Sequence, residues 1–190
     1  SECRSHDLAC ACCGMPSELV VRRSAILRFA ERELDTRRPL LPRTLLRDWV
    51  RRCPNCSYCA PDITEADSRA CALIAEPDYQ KLLDCAGLPQ KVNEFLCWSW
   101  IATATGAHDE AAWARIRAAW ICDDARDAGT ARLCRSLALE SAEAAICAGQ
   151  LIAEGGGHVE LILSDLLRRC GRFDEAAAVA SGGLACKPDE

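Results

Sequence analysis

Two cysteine pairs, Cys10–Cys13 and Cys53–Cys56, constrain this chain more than any other feature. Each is a Cys-x-x-Cys, a spacing at which one tight turn aims two thiolates at a common point. Two such turns supply the four sulfurs of a closed tetrahedral zinc site. A single pair would suit a redox motif equally well; two in the first third of one chain favour structural Zn2+. Gly14 follows the first pair directly, and Pro54 and Asn55 fill the turn of the second. The expected ligands are therefore Cys10, Cys13, Cys53 and Cys56, with Cys12 and Cys59 as adjacent thiols able to replace a neighbour. Cys3 and His6 make a Cys-x-x-His at a terminus that is expected to be a frayed tail rather than a second metal site.

The pairs stand 39 residues apart, against the roughly 15–20 of a compact four-cysteine finger. The spacing predicts an expanded module in which an insert loops out between two knuckles. Glu18–Arg23, with its β-branched pair, is expected as a strand leaving the first knuckle, and Arg47–Arg52 as a strand entering the second. Pro39 and Pro42 break the intervening segment, so Ser24–Leu34 is either a short helix or an irregular excursion. A segment of this size with few aromatic residues has little core of its own. Structural zinc contributes about 10–16 kcal/mol to such modules.

After Pro61 the pattern turns helical. The expected helices are Ile63–Ala75, Pro77–Cys85, Lys91–Thr105, Asp109–Ala128, Thr130–Ala153, His158–Cys170 and Asp174–Cys186. Thr64 is the expected cap of the first, with Asp67 three residues on in the style of a capping box. Trp113, Ile116 and Trp120 fall on one helical face and predict a buried stripe. Alanine dominates the second half of the chain, and only 5% of all residues are aromatic. That composition favours helices packed closely on small side chains. Helix, short turn and helix recur, the pattern of stacked α-hairpins.

The last hairpin is the most specific. Gly171, Phe173, Ala176 and Pro188 match the turn glycine, aromatic plug, close-packing alanine and terminal proline of a tetratricopeptide (TPR) repeat, and Leu163 and Leu167 match its first-helix packing positions. Gly129 marks the turn of a looser hairpin, 42 residues before Gly171, against about 34 in a regular array. The fold class expected is mainly α: TPR-like helical hairpins (61–190) after a small N-terminal zinc-binding α+β module (1–60).

Both ends of the chain carry a resemblance. The stretches are Cys10-Ala11-Cys12-Cys13-Gly14 with Val21–Ser24, Trp49–Ala60 around Cys53-Pro54-Asn55-Cys56, and Leu166–Ala176. Together they resemble a bacterial family of unknown function that joins a CPxCG-like pair and a CPNCGYA-like pair to TPR-like C-terminal helices. Ser57 departs from that pattern, which would place glycine there. The resemblance implies an architecture and no activity.

Charge is uneven. Residues 1–60 carry 11 Arg against 7 Asp/Glu, and 61–190 carry 12 Lys/Arg against 21 Asp/Glu. Arg22, Arg23, Arg28, Arg32, Arg37, Arg38, Arg43, Arg47, Arg51 and Arg52 would suit a phosphate-binding surface; the competing reading is a solvated basic face or one docked on the acidic helices. Scarce aromatics argue against base stacking. The chain has 15 cysteines, and Cys71, Cys85, Cys97, Cys122, Cys134, Cys147, Cys170 and Cys186 are scattered singly through helical sequence. They are expected as reduced, structural thiols of a cytoplasmic protein. No apolar run reaches a membrane span, and the first residues lack the pattern of a signal peptide.

Catalysis has little support: His6, His108 and His158 are dispersed, and no nucleophile–base pattern or phosphate-cradling loop occurs. Asp123 and Asp124 diverge by about 100° on a helix and are expected as surface charges. The expected function is a non-enzymatic zinc-binding interaction protein whose helices take a protein or peptide partner. The alternatives are a nucleic-acid-binding regulator using the basic module and a zinc-thiolate redox sensor.

Overall fold

A computed structural model describes residues 3–22 and 49–185. These divide into two units, 3–22 with 49–105 and 106–185. The sequence division at 60/61 falls inside the first unit, because the helices that follow it pack around the second knuckle. Within the described residues the chain is mainly helical with a small β component.

The first unit opens with two short β-hairpins, each turning through a knuckle. Strands β1 (Cys3–Ala9) and β2 (Pro16–Arg22) pair antiparallel from Cys3↔Arg22 to Ala9↔Pro16. Strands β3 (Arg51–Arg52) and β4 (Cys59–Ala60) pair as Arg51↔Ala60 and Arg52↔Cys59. The N-terminal stretch expected as a frayed tail is thus a strand. Its backbone groups are satisfied by β2, which a sequence reading of one strand alone does not reveal. The expected insert, 24–46, and with it the helix-or-excursion question at Ser24–Leu34, lies outside the described residues.

Three helices complete this unit: α1 (Ser68–Leu73), α2 (Pro77–Leu83) and α3 (Gln90–Thr105). Helix α1 begins later than expected. The Thr64 amide and hydroxyl both bond to the Asp62 carboxylate, at 2.9 and 2.7 Å, so Thr64 belongs to an Asp-centred turn. Asp67 is the cap, accepting from the Ala70 amide at 2.6 Å. Helix α3 is the core element: Val92, Phe95, Leu96, Cys97, Ile101 and Ala102 are all buried, and it packs on α1, α2 and β4. Tyr58, Ile63 and Tyr79 are buried in the same unit, and Tyr79 meets Trp100 with ring centroids 5.6 Å apart.

The second unit holds α4 (His108–Asp124), α5 (Ala128–Cys147), α6 (His158–Arg169) and α7 (Phe173–Ala185), with successive helices packed as neighbours. Alanines make the α4–α5 contact. Ala111, Ala114, Ala118 and Ala119 on α4, and Ala131, Ala138, Ala142 and Ala145 on α5, are buried almost completely, so backbones approach where large side chains would hold them apart. Ile116 and Trp120 of the expected stripe are buried, and Trp113 meets Trp120 edge-on at 6.4 Å while its indole N–H donates to the Ile152 carbonyl at 2.9 Å. Helix α4 stops short of Ala128 because Arg126 takes a φ of +59°, after which Asp127 caps α5 by accepting from the Thr130 amide at 3.0 Å.

Two expectations in this unit need correction. Phe173 does not plug the last hairpin: it is 66% exposed, whereas Ala176 is buried and supplies the close approach. Asp123 is not a free surface charge. Its carboxylate accepts from both terminal nitrogens of Arg135, a residue only 5% exposed, and from Arg169 at 3.5 Å; Arg169 in turn bonds Asp165 at 2.9 Å. Neighbouring aspartates on a helix point apart, and Asp123 is the one that meets these arginines of α5 and α6. Pro188 lies outside the described residues. Among those described, no helix is long and apolar enough to cross a membrane.

Candidate metal centre

The two knuckles are built alike. In the first, the Gly14 amide donates to the Cys10 carbonyl at 2.7 Å and the Cys10 amide to the Met15 carbonyl at 3.0 Å. In the second, the Ser57 amide donates to the Cys53 carbonyl at 3.0 Å and the Cys53 amide to the Tyr58 carbonyl at 2.8 Å. Each turn therefore needs a left-handed residue just after its second cysteine. Gly14 meets this without a Cβ penalty; Ser57 meets it against one.

What holds Ser57 there is its surroundings. Its hydroxyl accepts from Arg52 at 2.9 Å, and its carbonyl accepts from the Tyr79 hydroxyl at 2.8 Å and the Cys59 thiol at 3.5 Å. Tyr79 belongs to α2, so the second knuckle is fastened to the helical core. The first knuckle is fastened through Ala11, whose amide donates to the Ile63 carbonyl at 2.9 Å.

These fastenings bring the four expected sulfurs together. Sγ of Cys10, Cys13, Cys53 and Cys56 all lie within 4.8 Å of one another. The cross-knuckle distances Cys10–Cys56 and Cys13–Cys53 are both 3.7 Å. A tetrahedron with Zn–S bonds of about 2.3 Å has edges of about 3.8 Å, so the donor set fits a closed four-thiolate site. The cluster could hold a metal ion.

Electrostatics point the same way. Cys13 is lowered to about 6, chiefly because the Asn55 side chain hydrogen-bonds its sulfur and secondly because the Met15 backbone does so. Burial pushes the thiols of Cys10 and Cys56 up. Four thiolates at this spacing repel one another strongly, and a divalent cation removes that cost.

The other thiols near the knuckles face elsewhere. Cys12 meets Cys71 of α1, and Cys59 is buried beside Cys97 of α3. Sequence reasoning saw Cys71 and Cys97 only as scattered structural thiols, since nothing local ties them to a partner 59 or 38 residues away. Asn55, read as a turn filler, is also a donor to Cys13. The side chains of Cys3, His6 and Arg22 lie outside what the structure describes, as do Arg23, Arg28, Arg32, Arg37, Arg38, Arg43 and Arg47 altogether, which leaves Arg51 and Arg52 of the arginines proposed for phosphate binding. Arg52 is engaged with Ser57.

A cleft of about 540 Å³ lies beside this module, lined by Tyr58, Thr64, Asp67, Trp98, Ile101 and Thr105 among others. Its polar groups are largely committed: the Tyr58 hydroxyl donates to the Glu65 carbonyl at 3.0 Å, and Asp67 caps α1.

Compared with family models, with curated proteins and with solved structures, the chain finds no match. The resemblance drawn from its motifs rests on those residues alone.

Proposed function

We propose that the four-cysteine cluster is a structural Zn2+ site and that the protein is a non-catalytic interaction protein, its zinc-stapled module joined to TPR-like helices that engage a protein or peptide partner. The observation that carries the zinc assignment is the pair of 3.7 Å sulfur separations across the knuckles, close to the edge of a zinc tetrathiolate. Both sides of the cluster are hydrogen-bonded into packed structure, which suits a staple; a catalytic zinc keeps an open coordination position.

The partner role is supported by apolar side chains left in solvent along the last hairpin. Phe173 and Leu161 lie there beside Ala176, Ala177 and Ala180 around a groove of about 350 Å³. An apolar groove between two helices suits an amphipathic or extended peptide.

Two measurements test the reading. Elemental analysis of the purified protein should find one zinc per chain, and none in Cys10→Ser or Cys53→Ser. Affinity capture with the intact protein should recover a protein partner that Phe173→Asp releases. Capture of nucleic acid alone, with a steep dependence on salt, would instead favour a regulator using the basic module.

A further inference from the structure

Outside the four-sulfur cluster, three pairs of cysteines face one another among the described residues: Cys12 with Cys71, Cys59 with Cys97, and Cys122 with Cys134. Two of these pairs are sealed, since Cys59, Cys97, Cys122 and Cys134 are all 0% exposed. Cys12 and Cys71 differ in being only half-buried. Their sulfurs are 2.7 Å apart, a full ångström closer than the cross-knuckle sulfurs of the metal cluster. We propose that Cys12 and Cys71 form a reversible disulfide by exchange with a low-molecular-weight disulfide, fastening α1 to the first knuckle while the cluster stays intact.

Both partners are already held in place. Cys12 sits inside the knuckle turn, which the Ala11–Ile63 hydrogen bond ties to the segment leading into α1. Cys71 is anchored in α1 by the hydrogen bond that its backbone N–H donates to the Asp67 carbonyl at 3.1 Å, below the Asp67 cap. The ordering needed to close a ring from residue 12 to residue 71 is therefore supplied by the fold, and the two thiols react at high effective concentration. Neither sulfur belongs to the four that lie within 4.8 Å of one another, so the bond takes no ligand from the metal.

The chemistry balances without any group from the protein beyond the two thiols. One cysteine, as thiolate, attacks a sulfur of the small disulfide; the S–S bond breaks and one small thiolate leaves, to be protonated by solvent. The second cysteine then attacks the mixed disulfide at the protein sulfur and expels the other small thiolate. Two protein thiols are oxidised to one disulfide, and one small disulfide is reduced to two thiols.

The pair does not depend on what the cluster holds, and the test keeps the two readings apart. The intact protein, its metal content measured first, is equilibrated in glutathione buffers of rising oxidised fraction. It is then quenched in acid, alkylated and mapped by mass spectrometry without reduction. The expected first cross-link is Cys12–Cys71, with metal content unchanged. In Cys71→Ser, Cys12 should instead accumulate as the glutathione mixed disulfide. A first cross-link between two cluster cysteines accompanied by metal loss would overturn the proposal. So would Cys12 and Cys71 remaining alkylated after other cysteines have oxidised. Absence of metal at the start would count against the zinc assignment only.

Discussion

Gly14 and Ser57 occupy the same place in the two knuckles, one residue past the second cysteine, with φ of +70° and +64°. A Cβ in this region costs about 1–2 kcal/mol. The second knuckle accepts that cost because Ser57 gains the hydrogen bond from Arg52. Gly14→Ala should therefore destabilise the metal-loaded protein by about 1 kcal/mol, although nothing lies within 4 Å of the added methyl. Ser57→Gly should stay within about 1 kcal/mol of the parent, relieving strain while losing one hydrogen bond. Ser57→Ala keeps the strain and loses the bond, and should be the least stable of the Ser57 variants. Urea titrations of the three proteins read this order directly.

Tyr79 connects that knuckle to α2 through a fully buried hydroxyl. Tyr79→Phe leaves the Ser57 carbonyl with only the weak Cys59 thiol contact. We expect a loss of about 1–2 kcal/mol in unfolding free energy and faster transfer of bound metal to a chelator. An unchanged midpoint would show that the tyrosine packs without fastening.

Metal affinity should fall as pH falls, and the sign follows from the thiols. Burial holds Cys10 and Cys56 above the ordinary thiol value, so in the metal-free protein both carry protons at neutral pH. Binding releases at least those two. Apparent affinity then rises with pH by roughly two decades per unit or more, and is lost on acidification. Competition against a chromophoric chelator between pH 6 and 8 measures the slope; a pH-independent affinity would contradict the thiolate assignment.

Asp123 is the hinge of the charge network that joins α4, α5 and α6. Asp123→Ala strands the buried Arg135 guanidinium and should cost about 3 kcal/mol, the scale of a broken buried pair. A thermal melt of Asp123→Ala against the parent protein measures the loss, and an unchanged midpoint would contradict the network.

The adjacent glycines of α7 should respond in opposite directions to the same change. An alanine methyl at Gly182 meets open space, so Gly182→Ala should stabilise by up to about 1 kcal/mol through reduced chain entropy. At Gly183 it would lie 2.7 Å from the Glu160 Cβ of α6. The backbones must separate there, and the substitution should destabilise. Denaturant midpoints of the two single variants test the pair.

The sequence by itself determined what is local. The Cys-x-x-Cys spacing is a property of one turn, so Cys10, Cys13, Cys53 and Cys56 could be named in advance, and the sulfurs of all four converge. The order of the helices followed from period and breakers, because those signals act within a few residues. Errors arose where a distant partner decides. The strand Cys3–Ala9 exists by pairing with Pro16–Arg22, and Asp123 is held by arginines of other helices. Phe173 was read from a motif but faces solvent, since Ala176 already fills the close contact. Cys12 and Cys71 are 59 residues apart in sequence, and no local pattern joins them. Only the tertiary structure sets their sulfurs 2.7 Å apart, because packing α1 beside the first knuckle creates a proximity that neither segment encodes alone.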